Sequence, residues 1–238
     1  MNIKKLIKTA PLIRIWYKRY SEKKINEFYN RKGEVLRTIG DEIILNMFNI
    51  IHIKHRKNIW LDYGTLLGAI REKDYIKHDC DIDLSMFADD FTDEIILSLE
   101  EAGFKIKRLF WRENLIDKTR KITEITFTYK GLDVDIFFSF KNNQKKIIYS
   151  YLEANATESQ LNRYAVLKEE YDFKGVEPYT FRNINVLIPS NPTQYLSQVY
   201  GSNFMTPIVA YQPDIDNDPH KEMEDYNKYR GIMVGLWS

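Results

Sequence analysis

The sequence holds a single cysteine, Cys80, and four scattered histidines among its 238 residues. One cysteine excludes a disulfide framework and a cysteine-rich zinc site, and it fits a reducing cytoplasm. The scattered histidines argue against a histidine-based zinc centre. We therefore expect a cytoplasmic protein.

Long apolar runs are also absent. No stretch approaches 18 consecutive apolar residues, so no segment is predicted to span a bilayer. The hydrophobic fraction of 44% and the aromatic fraction of 14% nevertheless predict a globular chain rather than a disordered one. At this length we expect one large domain, or one domain with appended helices.

Charge is distributed unevenly along the chain, although the net charge is only +1. Residues 1–61 carry 14 Lys or Arg against 5 Asp or Glu, and the remaining residues carry 21 against 29. The first twenty residues hold six basic side chains and no acid, interleaved with apolar ones. This pattern is typical of a helix that lies peripherally on an anionic membrane, here the inner face of the cytoplasmic membrane. A basic helix packed on the domain, with solvated lysines, fits equally well.

Two other roles fit this basic segment poorly. Lys8, Pro11 and Arg14 interrupt the apolar core that a signal peptide needs. No motif that reads nucleic acid accompanies the basic stretch, and the rest of the chain is acidic. We therefore expect no nucleic-acid partner.

The most informative segment is residues 60–87, WLDYGTLLGAIREKDYIKHDCDIDLSMF. It reads as a short apolar strand, a turn, a helix, and a second strand that carries Asp81 and Asp83 at alternate positions. Side chains alternate between the faces of a strand, so these two carboxylates project from the same side. Carboxylates held this close repel each other unless a cation lies between them, and a hard divalent cation is the usual solution. We therefore predict that Asp81 and Asp83 bind Mg²⁺ or Mn²⁺.

The turn before the helix, Gly64-Thr65, predicts a phosphate site. Backbone N–H groups at the N-terminus of a helix have no partner within the helix and bind phosphate readily. Gly64 would allow the phosphates of a donor to approach the backbone, and Thr65 would add a hydroxyl. A plain helix-capping turn is compatible with the same residues.

Two further residues near this helix are predicted to bind substrate. Arg71 would form a fork with phosphate oxygens, and a surface salt bridge to Glu72 or Asp74 is the alternative. Asp62 would contact the acceptor or a metal-bound water, and a structural hydrogen bond to the loop is equally compatible.

A third strand with acids follows at residues 131–138, GLDVDIFF. Asp133 and Asp135 share one face of it, with apolar residues on the other. Beside the strand of Asp81 and Asp83, one of them would complete a three-carboxylate cluster that holds one or two metal ions. Such a cluster neutralises phosphate oxygens and activates an attacking hydroxyl, which predicts phosphoryl transfer.

The order of these motifs resembles the nucleotidyltransferase superfamily, and the string LDYGTLLGAIR…DCDID is similar to the LicD/fukutin family. Residues 185–207, NVLIPSNPTQYLSQVYGSNFMTP, resemble the closing segment of that family. The resemblance covers about residues 60–207, with a poor match over residues 141–179. It implies an α+β fold, a nucleotidyltransferase-like mixed β-sheet flanked by helices.

The resemblance also implies an activity and a site. A phosphoryl substituent, phosphocholine or a similar group, would move from a cytidine-nucleotide donor to a hydroxyl of a cell-surface glycan, with release of CMP. The acceptor would belong to capsule or lipopolysaccharide biosynthesis and could be lipid-linked. Asp81, Asp83 and Asp135 would be the catalytic metal ligands, because the third acid of the family precedes apolar aromatic residues. Asp133 is the rival for the third position, and otherwise a substrate-binding residue.

The chain departs from the family at one position. The family commonly has an unbroken acidic run before the isoleucine, whereas this chain has Cys80 there. On the alternation of the strand, Cys80 points away from Asp81 and Asp83, so we expect the metal pair to be retained. A role for Asp79 does not follow from the pattern.

Three other functions remain open. A nucleotidyltransferase would use the same acids to add NMP to an acceptor and would release pyrophosphate. A glycosyltransferase with an Asp-x-Asp motif needs two similarly spaced acids, but neither the Gly-Thr helix nor the third acid. A catalytically inactive scaffold of a membrane-associated glycan-assembly complex would keep the fold and use its basic N-terminus as an anchor.

The chain is predicted to have three parts. These are a basic amphipathic helical extension at residues 1–32, a catalytic domain of nucleotidyltransferase fold at residues 33–211, and an acidic C-terminal arm at residues 212–238 that packs on the domain. Periodicity and punctuation predict helices at residues 33–57, 91–103, 160–170 and 192–200, and strands at residues 104–110, 121–129, 132–140 and 180–188.

Overall fold

The computed structural model describes residues 11–207, 215 and 217–235, without the side chains of residues 11–26, 28 and 29. The predicted contact of residues 1–20 with a membrane therefore lies outside the described side chains. None of the helices in the described part of the chain is long and apolar enough to cross a bilayer.

The helices surround a large sheet. They are α1 (Pro11–Met47), α2 (Tyr63–Arg71), α3 (Asp93–Glu101), α4 (Ala156–Gln160) and α5 (Pro192–Tyr200), with a π-helical segment Phe48–Lys54 directly after α1. Helix α1 crosses the predicted boundary between residues 32 and 33 without a break. Its apolar stripe is buried where it packs on the sheet, as at Leu36, Ile43 and Met47. Thr92 and Asn191 occupy N-cap positions, but neither side chain makes a capping hydrogen bond.

Nine strands of the described residues form one sheet, and two others form a separate hairpin. The sheet contains β1 (Ile59–Leu61), β2 (Asp81–Phe87), β3 (Lys105–Asn114), β4 (Arg120–Tyr129), β5 (Leu132–Asn142), β6 (Lys145–Glu153), β7 (Arg163–Asp172), β10 (Lys221–Met223) and β11 (Tyr229–Gly235), and the hairpin contains β8 (Val176–Phe181) and β9 (Ile184–Pro189). The strand order is β1-β2-β5-β4-β3-β11-β7-β10. Strand β6 pairs with both β5 and β7, so the hydrogen-bonded path β5-β4-β3-β11-β7-β6 closes on itself.

Strands β2 and β5 are parallel neighbours, whereas the other paired strands of the described residues are antiparallel. The register of this parallel pair aligns Asp81 with Asp133 and Asp83 with Asp135. Ile82, Leu84, Val134 and Ile136 occupy the opposite face and are fully buried under the helices. The mixed α+β class is as predicted, while the nucleotidyltransferase-like arrangement stays a prediction.

Three segments differ from the prediction. The strand predicted at residues 180–188 is divided by a turn between β8 and β9. Residues 160–170 are mostly strand β7 rather than a helix, because β7 is an internal strand paired with β6, β10 and β11, and sheet pairing overrides its helical pattern. The predicted acidic arm ends in two strands of the sheet, of which β11 lies between β3 and β7. The sequence of β11 is short and interrupted by glycine, so it gives a weak strand pattern. Pairing with β3 and β7 holds β11 in the sheet.

Candidate functional site

Three carboxylates converge at the β2–β5 pair. Asp81 and Asp83 alternate along β2, and Asp135 lies beside Asp83 on β5. One carboxylate oxygen from each of the three lies within 4.8 Å of the other two. Asp81 and Asp83 are half-buried, and Asp135 is 5% exposed. The structure therefore brings together the three acids that the sequence predicts as metal ligands, and their role as ligands stays a prediction.

The electrostatics of this cluster favour a cation. Burial raises the pKa of Asp83 well above its ordinary value, and the charges of Asp81, Asp79 and Asp135 raise it further. Burial also raises the pKa of Asp135 to about 6, although the Thr126 hydroxyl and the Arg108 charge oppose the rise. Neighbouring carboxylates raise each other's pKa because their negative charges repel when no positive charge lies between them. Oxygen ligands at this spacing fit Mg²⁺ or Mn²⁺, because Mg²⁺ binds its oxygens at about 2.0–2.1 Å and needs only a small closure of the cluster.

The turn before α2 holds Asp83 in place. The backbone N–H of Gly64 donates a hydrogen bond of 2.8 Å to Asp83 Oδ2, and Thr65 Oγ1 accepts one of 2.9 Å from the Asp83 N–H. Thr65 is 1% exposed, so its hydroxyl is not available to a phosphate. The predicted phosphate contact of Thr65 is therefore wrong, whereas that of Gly64, which is half-buried, stays a prediction. Gly64 therefore orients the Asp83 carboxylate, and Thr65 holds the Asp83 backbone.

Asp62 is not accessible to a substrate. It is the N-cap of α2 and is completely buried, and its Oδ1 accepts hydrogen bonds from the Tyr63 N–H at 2.9 Å and the Tyr195 hydroxyl at 2.7 Å. Its Oδ2 forms an ion pair of 2.6 Å with Lys146, which is also completely buried. The predicted contact of Asp62 with the acceptor is therefore wrong, since a buried carboxylate must satisfy its oxygens internally.

Asp133 lies beside the three-acid cluster rather than in it. Its carboxylate forms an ion pair of 2.6 Å with Lys107, and both side chains are partly exposed. Among the described residues, the acids grouped closely enough for one ion are Asp81, Asp83 and Asp135. The geometry thus favours Asp135 as the third ligand.

Arg71 lines a pocket next to the cluster. Its Nε bonds Glu72 Oε1 at 2.8 Å, the salt bridge that the sequence left as an alternative, and its Nη1 donates to the Phe204 carbonyl at 3.2 Å. The pocket has a volume of about 260 Å³. It is lined by residues of α2, the loop before β2, α5 and the segment after α5: Gly64, Leu67, Arg71, Ile76, His78, Asp79, Tyr200, Phe204 and Thr206. The pocket meets the acid cluster at Gly64, where an added Cβ would lie 3.0 Å from both Asp79 Oδ2 and Asp83 Oδ2.

Sequence reasoning missed three residues of this region. Burial, together with the charge of Asp81, raises the pKa of Asp79 to about 8. Burial and the charge of Asp135 raise the pKa of Glu124, on β4, to about 8, against the charge of Arg108. Asp79 lies in the acidic run before β2, but strand alternation assigned it no role. Glu124 and Arg108 carried none, because they reach the site through the pairing of β3, β4 and β5.

Comparisons with known proteins point to one family. The family model described as LicD/FKTN/FKRP, nucleotidyltransferase domain, matches residues 57–191, more than half of the chain. The chain is similar to ribitol-5-phosphate transferase FKTN of Mus musculus, with 28% identity over 154 residues that cover 64% of this chain and 30% of that protein. An uncharacterised protein of Rickettsia typhi is 26% identical over 170 residues, covering 68% of this chain and 48% of that protein. The chain spans about a third of the length of the curated FKTN relatives.

Proposed function

The chain belongs to the LicD/FKTN/FKRP family, and we propose that it is a Mg²⁺-dependent transferase of substituted phosphoryl groups. The donor would be a cytidine nucleotide, the acceptor a hydroxyl of a cell-surface glycan, and the second product CMP. The observation that carries this proposal is the convergence of Asp81, Asp83 and Asp135 within 4.8 Å. Buried, mutually repelling carboxylates beside a pocket are the arrangement that metal-assisted phosphoryl transfer needs.

Each acid would have a distinct task. Asp81 and Asp83 would hold the metal, which supplies charge neutralisation for the phosphate oxygens and the leaving CMP. Asp135 would complete the ligand set and accept the proton of the acceptor hydroxyl. The acceptor oxygen would then form its bond to phosphorus as the bond from phosphorus to CMP breaks. Gly64 and Thr65 would keep Asp83 oriented during this exchange.

The pocket beside Gly64 suits the transferred substituent. Its volume of about 260 Å³ fits a small alcohol or polyol better than a complete cytidine nucleotide. Tyr200 and Phe204 offer aromatic surface, whereas Arg71 and His78 offer hydrogen-bond donors. A polyol phosphate such as ribitol 5-phosphate, the group named for the FKTN relatives, is therefore our first candidate, ahead of phosphocholine.

The test is to incubate the purified chain with Mg²⁺ and a panel of cytidine-activated donors, including polyol, choline and ethanolamine forms. Release of CMP would be followed with and without candidate glycans. We expect Mg²⁺-dependent CMP release with one donor class, accelerated by its acceptor and abolished by EDTA. Pyrophosphate released from a nucleoside triphosphate would support a nucleotidyltransferase instead. Tight Mg²⁺ binding without turnover of any donor would support the inactive scaffold.

The cellular setting is also a proposal. A peripheral position on the inner face of the cytoplasmic membrane would bring the enzyme to a lipid-linked acceptor, as the basic composition of residues 1–20 suggests. Comparing vesicles with and without anionic lipid in a sedimentation assay tests this position. Equal sedimentation with both would contradict it.

A further inference from the structure

An irregularity in strand β3 turns two consecutive basic residues toward the acid cluster. The pairing of β3 with β4 shifts register between Ile106 and Arg108, which leaves Lys107 as the extra residue of a β-bulge. In a regular strand, neighbouring side chains point to opposite faces. Here Lys107 pairs with Asp133 at 2.6 Å, and Arg108 lies 3.5 Å from Asp135. Since Asp133 and Asp135 share one face of β5, the bulge presents both cations on that face.

Arg108 is held so that part of its guanidinium faces the site. Its Nε donates a hydrogen bond of 2.8 Å to Thr126 Oγ1, which fixes the base of the group. Its Nη2 lies 3.5 Å from Asp135 and 3.6 Å from Glu124, both longer than a close charge-assisted hydrogen bond. The side chain is 35% exposed, and that of Lys107 is 46% exposed. Arg108 therefore reaches both the acid cluster and solvent, and Lys107 lies beside the cluster with access to solvent.

We propose that Arg108, assisted by Lys107, binds the diphosphate of the donor on the β3 side of the acid cluster, which deepens the proposed function and rests on it. A diphosphate presents more oxygens than the metal site can take, and an arginine fork matches a pair of them. Metal binding gives the Asp135 carboxylate a second positive partner, so the loosely held guanidinium can turn to phosphate. The position suits this role because Arg108 lies next to the third acid and opens to solvent.

The test measures two affinities on the same set of variants by titration calorimetry. One is the affinity for Mg²⁺ alone, and the other is the affinity for CDP in the presence of saturating Mg²⁺. The variants are Arg108→Ala, Arg108→Lys and Lys107→Ala. Arg120→Ala is the matched control, because Arg120 pairs with Glu113 on the same two strands, about 20 Å along β4 from Thr126. Cytidine without phosphates serves as the ligand control.

We expect Arg108→Ala to weaken CDP binding at least tenfold, while Mg²⁺ affinity stays equal or rises, because a positive charge has left the acid cluster. Arg108→Lys should recover part of the CDP affinity, since lysine keeps the charge but not the fork. Lys107→Ala should have a smaller effect, and Arg120→Ala none. Unchanged CDP affinity in Arg108→Ala would overturn the proposal. A parallel loss of Mg²⁺ and CDP affinity would overturn it as well, since that pattern indicates a structural role.

The two proposals can fail separately. If the wild-type chain binds CDP through Arg108 but transfers nothing from any cytidine donor, the transferase proposal fails and the diphosphate site stands. If transfer occurs and Arg108→Ala leaves the KM for the donor unchanged, the diphosphate site fails and the transferase stands. A wild-type chain that binds no CDP with Mg²⁺ contradicts the diphosphate site directly.

Discussion

Lys146 Nζ lies 2.6 Å from Asp62 Oδ2, and neither side chain is exposed to solvent. The rings of Trp60, Phe173 and Tyr195 surround the ammonium group, with the Tyr195 centroid at 4.3 Å. Asp62 also caps α2, the helix whose second residue, Gly64, orients Asp83. The buried ion pair thus connects the core between β1, β6 and α5 to the acid cluster.

This connection predicts a large loss of stability when Lys146 is replaced. Lys146→Met leaves the Asp62 carboxylate buried without its cation, which should lower the free energy of unfolding by about 3–5 kcal/mol. Urea denaturation measures this change. Lys145→Met is the control, because Lys145 is 46% exposed in its ion pair with Glu170, and it should cost less than about 1 kcal/mol. Adding Asp62→Asn to Lys146→Met should recover part of the lost stability. If the free-energy changes of the two single variants simply add in the double variant, the two side chains are not coupled.

Each acid of the cluster should be necessary for activity. Asp81→Asn, Asp83→Asn and Asp135→Asn should each reduce transfer by roughly a hundredfold or more, about 3 kcal/mol of barrier, because a metal ligand is lost. Initial rates of CMP release measure the effect. Asp133→Asn should cost less than any of the three, since Asp133 lies outside the cluster.

Asp89→Asn is the control for the loss of a negative charge at the other end of β2. Asp89 lies two residues after the last residue of β2 and is exposed. Its replacement should leave the rate unchanged. Full activity of Asp81→Asn would end the metal-site proposal.

Stabilisation by Mg²⁺ should grow with pH. Without metal, the pKa values of Asp135, Asp79 and Glu124 are raised to about 6, about 8 and about 8. The folded chain therefore binds more protons than the unfolded chain between pH of about 4 and about 8, so this part of its stability is lost as pH rises through that window. Mg²⁺ requires the ionised acids and offsets the loss. The rise in thermal midpoint caused by Mg²⁺ should be larger at about pH 8 than at about pH 5.5.

The Asp81→Asn variant provides the comparison for this titration. Its Mg²⁺-dependent rise in midpoint should be small across the whole pH range, because the ligand set is incomplete. If the Mg²⁺-induced rise in the thermal midpoint of the wild-type chain is constant with pH, or larger at acidic pH, protonation of the cluster does not compete with Mg²⁺ binding.

Gly64 should tolerate no larger side chain. An alanine Cβ would lie 3.0 Å from Asp79 Oδ2 and from Asp83 Oδ2, so both carboxylates must shift. Gly64→Ala should weaken Mg²⁺ binding roughly tenfold or more, the range found when groups that orient metal ligands are altered. Calorimetric titration of Mg²⁺ measures this.

Gly131→Ala separates the local effect at Gly64 from a general effect of replacing glycine. Gly131 has a φ of +85°, and an added Cβ there would meet no atom within 4 Å. Its replacement should cost about 1 kcal/mol of stability through backbone strain and leave Mg²⁺ affinity intact. Equal Mg²⁺ affinities for the two variants would show that Gly64 does not control the spacing of the acids.

The local patterns predicted much of the fold and the centre of the site. Strand alternation predicted that Asp81 and Asp83 project from one face of β2 and that Asp135 projects from one face of β5. In the structure these three side chains lie together on one face of the sheet. Helix periodicity identified α1 and α3, because one apolar stripe is buried in each, as at Leu36 and Ile43 in α1 and at Ile95 and Leu99 in α3. The hairpin β8–β9 gave a weaker signal. Its two turn residues, Arg182 and Asn183, adopt φ of 48° and 66°. Arginine is not a residue typical of positive φ, so the sequence did not indicate a turn there.

The sequence by itself determined the acids of the cluster, the turn beside them and the membership of a family, because these depend on residue type and short spacing. Only the tertiary structure decided that Asp62 is a buried ion-pair partner, that Thr65 orients Asp83, and that Arg108 and Glu124 border the site. The physical reason is that burial and the pairing of distant strands set which polar groups meet. The one-residue bulge in β3 places Arg108 on the same face as Lys107, although neighbouring residues of a regular strand face opposite sides. No local sequence pattern predicts this bulge.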